Sequence, residues 1–183
     1  MDKTQTAIVR PAAPADLAQW RPLWDGYNAF YGRSGPTALA EEITRTTWAR
    51  FFDADEPMHA LVAEHEGRLV GLVHYLFHRS TVSHGPNCYL QDLFTEGAMR
   101  GQGVGSALIA AVAERARAGG ASRVYWMTHE TNTPAMRLYD SATRNRGIWS
   151  RMPVFYWAAA TTEPQPAATL LAASCSQKAT QNK

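Results

Sequence analysis

The stretch Gln91–Gly105, QDLFTEGAMRGQGVG, is followed by the alanine-rich run SALIAAVAERARAGG at 106–120, and together they decide the fold of this chain. Their order of residue types predicts a β-strand, a loop that carries arginine and glycine, and the start of a helix. The apolar residues of this helix recur every four positions and form one stripe: Val104, Leu108, Val112 and Ala116. We therefore expect the helix to pack on the core directly after the loop.

Alternating glycines in the loop favour the binding of an anion. Gly101, Gly103 and Gly105 lack a Cβ, so successive backbone N–H groups can turn inward and approach a ligand. The unpaired N–H groups at the start of the following helix, and the positive end of its dipole, favour the same ligand. A phosphate or pyrophosphate suits such a loop. We call residues 100–106 the anion cradle.

Two common nucleotide-binding motifs do not fit the anion cradle. The Walker motif requires Gly-Lys-Ser/Thr, and this loop has no lysine. The dinucleotide fingerprint places its glycines against the end of the strand, but Thr95–Met99 intervene here and Ser106 replaces the third glycine.

The run Arg100-Gly101-Gln102-Gly103-Val104-Gly105 matches the pattern Arg/Gln-x-x-Gly-x-Gly/Ala. It resembles the pyrophosphate-binding motif of the GNAT N-acetyltransferases, whose donor is acetyl-coenzyme A. The resemblance implies that the anion cradle, including Ser106, binds acetyl-CoA. It also implies that a backbone N–H of the preceding strand, on Leu93 or Phe94, donates to the thioester oxygen.

Similarity to this family extends over about residues 7 to 157. The run Arg123–Met127 predicts a buried strand. In the following HETNTPAMRLYD, Asn132 or Thr133 can cap a helix that ends near Gly147. GNAT enzymes carry an asparagine at this turn that contacts the pantetheine arm, and a tyrosine seven residues later near the thioester. The matching residues are Asn132 and Tyr139, in a context that looks like the branch containing yeast histone and polyamine acetyltransferases.

The remaining patterns predict one mixed α/β domain at 1–157 with the GNAT acyl-CoA N-acyltransferase fold, a mixed six- to seven-stranded sheet with helices on both faces. Strands are expected at 7–10, 60–63, 69–77, 88–95, 123–127, 148–150 and 154–157. Leu17, Trp20, Trp24, Tyr27 and Tyr31 share one face of a first helix, and a second helix at about 37–52 turns Leu39, Ile43 and Phe51 inward. Residues 158–183 are alanine-, threonine- and glutamine-rich, and we expect a disordered tail there.

Composition narrows the class of protein. A net charge of +2 without a run of lysine or arginine argues against nucleic-acid binding. No apolar run approaches the ~20 residues that span a bilayer, and the first ten residues lack the apolar core of a signal peptide, so we expect a cytoplasmic protein. The two cysteines, Cys88 and Cys175, give no disulfide framework.

Acetyl transfer to an amine requires a base and an acid. An aliphatic amine of pKa ~10.4 is neutral about once in 2,500 molecules at pH 7, a penalty of roughly 4.6 kcal/mol, so a group must accept its proton. The departing thiolate leaves more easily when a hydroxyl protonates it, and the resemblance implies that Tyr139 is this acid.

The base is open. Relatives in this branch carry Glu-Asp on the strand before the cradle, whereas this chain has Gln91-Asp92, and glutamine cannot accept a proton. The candidates are Asp92, Glu130, His84 or a chain of waters. Because alternate residues of a strand face opposite sides, either Gln91 or Asp92 faces the cleft. The intervals between His74, His78 and His84 match no metal-ligand spacing.

Aromatic residues of the first helix are core residues by default. Their place in the family is over the acceptor cleft, however, so Trp24, Tyr27 and Tyr31 can also wall a site for a cationic amine. His84, Gln91 and Asp92 complete the candidate acceptor site.

The sequence therefore predicts an acetyl-CoA-dependent N-acetyltransferase acting on a primary amine of a small molecule or peptide. Two alternatives are a GNAT-fold module that binds acyl-CoA without turnover and half of a dinucleotide-binding oxidoreductase. The aromatic residues of the expected last strands, 148–157, favour a homodimer, because an apolar sheet edge invites a partner.

Overall fold

The computed structural model describes residues 7–129 and 131–145. Their helices and strands follow the expected order. The bounds are β1 (Ile8–Pro11), α1 (Leu17–Phe30), α2 (Glu41–Arg50), β2 (Met58–His65), β3 (Arg68–His78), β4 (Asn87–Thr95), α3 (Val104–Ala118), β5 (Arg123–Trp126) and α4 (Thr133–Asn145). No helix within these ranges is long and apolar enough to cross a membrane.

The strands form one sheet in the order β1-β2-β3-β4-β5, and only the neighbours β4 and β5 are parallel. The mixed α/β fold with helices on both faces is confirmed. Five strands within the described residues are fewer than the six or seven expected. The two expected strands at 148–150 and 154–157 lie outside the described residues, as do the tail and Glu130.

Each face of the sheet has its own core. On one face, Trp20 and Trp24 of α1 and Trp48 of α2 pack against Val62 and Leu72 of the sheet. On the other face, the α3 stripe is buried as expected against strands β2 to β5. The sheet therefore lies between α1 and α2 on one side and α3 on the other, and β4 contacts both layers.

Two sequence expectations about the helices are wrong. Ile43 is 51% exposed, because α2 turns Thr44 and Trp48 inward instead. The Thr44 hydroxyl accepts the indole N–H of Trp24 at 3.3 Å, so a contact between helices sets the inward face of α2. α2 also begins at Glu41, so Leu39 lies before the helix and not on its inward face. Leu17 is 44% exposed at the first position of α1.

A β-bulge in β4 inverts the alternation of its side chains. His74 of β3 pairs with Asp92 but Tyr75 pairs with Leu90, so Gln91 is the extra residue. Leu90 belongs to the core beneath α3, whereas Asp92 hydrogen-bonds His74 on the α1 side. The bulge therefore aims Asp92 at α1, where regular alternation would have placed it on the same face as Leu90.

Candidate active site

The carboxyl end of β4 opens into a cavity of about 450 Å³. It lies between the end of α1, the anion cradle, and the start of α4. Its walls are Tyr27, Phe30, Tyr31, Leu93, Phe94, Thr95, Met99, Arg100, Gly101, Gly103, Val104, Gly105, Ser106, Asn132, Pro134, Ala135 and Leu138. The fold thus brings most of the predicted donor-binding residues to one cavity.

The backbone of the anion cradle is arranged to receive an anion. Gly101 and Gly103 have φ of 76° and 82°, a conformation that residues with a Cβ rarely adopt. Gly103 is the N-cap of α3, and the first N–H groups of a helix have no acceptor within it. Among the described residues, the N–H groups of residues 101–106 have no hydrogen-bond partner. They are available to a pyrophosphate, so the loop fits the group that the resemblance implies.

Gly105 is glycine for a different reason. A Cβ at this position would lie 2.9 Å from Cδ2 of Leu138, so the absence of a side chain lets α3 approach α4 closely. At Gly101 and Gly103, by contrast, an added Cβ meets no atom within 4 Å, and the constraint is the backbone conformation.

Two side chains fix the shape of the loop. Arg100 donates from Nε to the carbonyl of Thr95 at 3.1 Å, and its guanidinium lies 5.8 Å from the centre of the Phe94 ring. Gln102 donates to the carbonyl of Ala98 at 2.9 Å and does not line the cavity. Arg100 therefore keeps its two Nη groups for a ligand, while Gln102 acts within the loop.

The register of β4 distinguishes Leu93 from Phe94. Glu96 donates its N–H to the carbonyl of Val70 on β3, and in an antiparallel ladder every second residue faces the partner strand. Phe94 and Asp92 therefore direct their N–H groups at β3, and those of Leu93 and Thr95 face the opposite edge. Pairing with β5 ends at Leu90, so this edge is open. Leu93, not Phe94, has an N–H available at the cavity.

Asn132 precedes α4 and Tyr139 lies on it, and the two residues differ in exposure to the cavity. Oδ1 of Asn132 accepts the N–H of Ala135 at 3.4 Å and caps the helix. Tyr139 is only 7% exposed, stacks on Trp126 with ring centres 4.9 Å apart, and does not line the cavity. Burial, followed by the nearby Tyr31 and Tyr89, raises the pKa of Tyr139 above its ordinary value.

Asp92 belongs to a buried hydrogen-bonded chain that sequence reasoning missed. Trp20 donates its indole N–H to Nε2 of His74 at 3.1 Å, and Nδ1 of His74 lies 2.9 Å from Oδ2 of Asp92. An indole N–H only donates, so Nε2 carries no proton, and the neutral ring donates from Nδ1 to Asp92. Burial, and then the charge and hydrogen bonding of Asp92, raise the pKa of Tyr27. Asp92 thus accepts a hydrogen bond from His74 and lies near the Tyr27 hydroxyl.

The other residues predicted for the acceptor site lie in different places, and only two of them line the cavity. Tyr27 and Tyr31 line the cavity, but Trp24 is buried behind them and stacks between Trp20 and Tyr27. Gln91 is exposed on the bulge, and His84 is exposed in the loop before β4, at the opposite end of the strand from Leu93. Within the described ranges, no three His, Cys, Asp or Glu side chains are placed to hold a metal ion.

The sequence did contain one signal of the buried hydrogen bonds between Trp20, His74 and Asp92. His74 interrupts the otherwise apolar run LVGLVHYLF, and a polar side chain inside a buried strand requires a partner. Nothing local to the sequence identifies Trp20 and Asp92 as those partners, since they lie on α1 and β4.

Comparison with known proteins agrees with this geometry. Residues 20–142 match the Acetyltransferase (GNAT) family. The chain is 33% identical over 134 residues to the D-amino-acid N-acetyltransferase HPA3 of Saccharomyces cerevisiae, covering 72% of this chain and 81% of that protein. It is 29% identical over 132 residues to the uncharacterized N-acetyltransferase YhfO of Bacillus subtilis, covering 72% and 85%.

Solved structures share the fold at low identity. The aminoglycoside acetyltransferase AAC(6')-Iy, in complex with the bisubstrate analogue CoA-S-monomethyl-acetylneamine, superposes with a TM-score of 0.67 at 17% identity, over 85% of this chain and 99% of that one. A putative acetyltransferase from Agrobacterium tumefaciens gives 0.65 at 21% identity, over 83% and 99%.

The chain belongs to the GNAT acetyltransferase family. Its activity is that of an acetyl-CoA-dependent N-acetyltransferase, which transfers an acetyl group to an amine. The family match and the named acetyltransferase relatives do not favour a non-catalytic acyl-CoA-binding module.

Proposed function

We propose that the acceptor is a primary amine of a small molecule and that both substrates meet in the β4 cavity. The observation that carries this proposal is the continuity of three features in one cavity. These are the anion cradle, the open edge of β4, and the aromatic end of α1. A donor with an anionic end and a thioester end can span the first two, which leaves the third for the amine.

The donor site is built mainly from backbone. The N–H groups of residues 101–106 and the Nη groups of Arg100 bind the pyrophosphate of acetyl-CoA, and Asn132 contacts the pantetheine arm. Leu93 donates its N–H to the thioester oxygen, because this N–H faces the open edge whereas that of Phe94 faces β3. Bound acetyl-CoA supplies the activated acetyl group.

Asp92 is the base in this proposal, and it acts through Tyr27. Asp92 is 6% exposed and does not line the cavity, so it has no direct contact with an amine there. Tyr27 does line the cavity, and its hydroxyl lies near enough to Asp92 for the carboxylate to raise the pKa of the phenol. The Tyr27 oxygen accepts the proton of the amine as its own proton passes to Asp92. His74 holds the carboxylate in place, and no glutamate at position 91 is required.

Tyr139 is the acid. It follows the cavity-lining Leu138 on α4, and burial keeps its hydroxyl protonated at neutral pH. Because Tyr139, like Asp92, does not line the cavity, its proton reaches the leaving sulfur through a bridging water. Gln91 and His84 have no chemical step in this scheme.

The test is an amine panel with acetyl-CoA, read by thiol release and by mass spectrometry of the amine. Amino acids come first, because the yeast relative is named for D-amino acids. We expect one N-acetylated amine per thiol released. Thiol release without an acetylated amine, or coenzyme A binding without turnover of any amine, would overturn the proposal.

Three further properties are proposed on the sequence. They are a cytoplasmic location, a homodimer formed through the aromatic segment 148–157, and a domain at 1–157 followed by a disordered tail at 158–183.

A further inference from the structure

Arg33 is held at the end of α1 by a buried amide. Its N–H donates to the carbonyl of Asn28 at 2.9 Å, and its Nε donates to Oδ1 of the same residue at 2.7 Å. Asn28 is itself only 4% exposed, and its amide donates to the carbonyl of Trp24 at 2.9 Å. A polar side chain inside α1 is therefore committed to fixing one guanidinium.

In the described part of the chain, no carboxylate pairs with the two terminal nitrogens of that guanidinium. Among the described residues, Nη1 and Nη2 of Arg33 have no hydrogen-bond partner, although Arg10, Arg21, Arg50 and Arg68 are all paired with carboxylates. The guanidinium carbon lies 5.9 Å from the ring centre of Tyr27 and 5.6 Å from that of Tyr31. Both rings line the cavity, whereas Arg33 itself does not, so the guanidinium lies behind the wall that these two rings form on the acceptor side.

Tyr27 links this positive group to a negative one. Its ring lies beneath Arg33, and its hydroxyl lies on the side of Asp92, whose charge raises the pKa of Tyr27. An acceptor that carries an ammonium and a carboxylate matches this pair of charges, with its amine toward Tyr27 and Asp92 and its carboxylate toward Arg33. An arginine fork binds a carboxylate through two parallel hydrogen bonds.

We infer that Arg33 binds the carboxylate of the acceptor and that the acceptors are free amino acids. This inference rests on the proposed function and narrows its substrate class. Arg33 is then a specificity-determining residue that adds binding energy for the acceptor and takes no part in proton transfer.

A purely structural role for Arg33 has a different signature. If the side chain only closes the end of α1 and packs on the two tyrosines, its loss weakens acetylation of every amine to the same extent. The experiment therefore compares acceptors that differ only at the carboxylate.

The assay uses the full chain with three matched acceptors: phenylalanine in both enantiomers, phenylalaninamide and phenethylamine. An α-amine beside an amide has an ordinary pKa of about 7.7–8.0, against about 10.4 for an aliphatic amine, so at pH 8 the amide has the larger neutral fraction. Intrinsic reactivity thus works against the expected preference for the amino acid over phenylalaninamide. The variants are Arg33→Gln, Arg33→Lys, and Arg21→Gln, which removes one positive charge from α1 instead of from the segment that follows it.

We expect wild-type kcat/KM to be at least tenfold higher for one phenylalanine enantiomer than for phenylalaninamide or phenethylamine. Arg33→Gln should raise the KM for that amino acid tenfold or more, about 1.4 kcal/mol, with phenethylamine within twofold of wild type. Arg33→Lys should recover part of the loss, and Arg21→Gln should change nothing. Equal use of all three acceptors, or equal losses on all three in Arg33→Gln, would overturn the inference.

A binding measurement separates failure of this inference from failure of the proposed function. With the enzyme saturated by coenzyme A, we expect calorimetry to show N-acetylphenylalanine binding at least tenfold more tightly than N-acetylphenethylamine, a difference that Arg33→Gln abolishes. Acetylation of amines without this difference would leave the proposed function standing and refute the role of Arg33. Absence of both acetylation and binding would refute both.

Discussion

A negative charge placed in the anion cradle should weaken donor binding. Gly103→Glu puts a carboxylate at the N-cap of α3, where the N–H groups of residues 101–106 converge. Two like charges ~4 Å apart repel by about 1 kcal/mol in water and about 4 kcal/mol at an effective permittivity of 20. We therefore expect the Kd for coenzyme A, measured by calorimetry, to rise tenfold or more, about 1.4 kcal/mol.

A neutral variant separates charge from backbone strain. Gly103 has a φ of 82° and no atom within 4 Å of an added Cβ, so Gly103→Gln has the same strain of roughly 1–2 kcal/mol without the charge. Both variants should lower Tm by similar amounts, but the glutamate variant should bind coenzyme A at least fivefold more weakly than the glutamine variant.

Gly97→Glu adds the same charge beside the cradle but outside the cavity, at a position with open space and no positive φ. It should bind coenzyme A within about threefold of wild type. If a folded Gly103→Glu protein keeps wild-type affinity, or matches the glutamine variant, the cradle does not hold the pyrophosphate.

The remaining predictions concern the proton path, alkaline stability and assembly. Tyr139→Phe should lower kcat and kcat/KM together by about 10²-fold with little change in acetyl-CoA binding. Near-full turnover by this variant would show that the ring of Tyr139 only packs. Because the pKa of Tyr139 is raised, the rate of the wild-type enzyme should not fall before about pH 10. Asp92→Asn should reduce kcat by about 10²-fold or more at pH 8, whereas Gln91→Ala should stay within threefold; the reverse order would exclude Asp92 as the base. Burial raises the pKa of Tyr27, Tyr75 and Tyr139, so the unfolded chain releases these protons at a lower pH than the folded protein does. Tm should therefore stay level to about pH 9 and fall above pH 10. A Tm that rises above pH 10 would contradict the burial of these hydroxyls. Light scattering at tens of micromolar should give twice the chain mass of 20.2 kDa, and a monomer mass would refute the homodimer.

Features that depend on local sequence could be predicted. The α3 stripe and the two positive-φ glycines of the cradle follow from helical periodicity and from backbone sterics, both of which act over a few residues. The connection between the strands expected at 60–63 and 69–77 is also local: Glu66-Gly67 has φ values of 51° and 76°, which suit a two-residue hairpin turn.

Features that depend on contacts between distant parts of the chain could not be predicted from the sequence. The bulge at Gln91 has no glycine to mark it, and it arises from the pairing of β4 with β3, so the side of the sheet that Asp92 faces was undecided. The inward face of α2 depends on the Trp24–Thr44 contact between helices, which periodicity within α2 does not contain. Gly105 fitted the motif, but its reason, the approach of Leu138, lies on another helix.

Amide hydrogen exchange measured by NMR on the labelled protein tests the donor site most directly. Coenzyme A should protect the N–H groups of residues 101–106, and acetyl-CoA should protect these and Leu93 as well, because only the acetylated donor presents a thioester oxygen to the open edge of β4. The N–H of Phe94 faces β3 and should exchange slowly in all three states. Protection that falls outside the cradle, or that is the same at Leu93 with both ligands, would contradict the proposed placement of the donor.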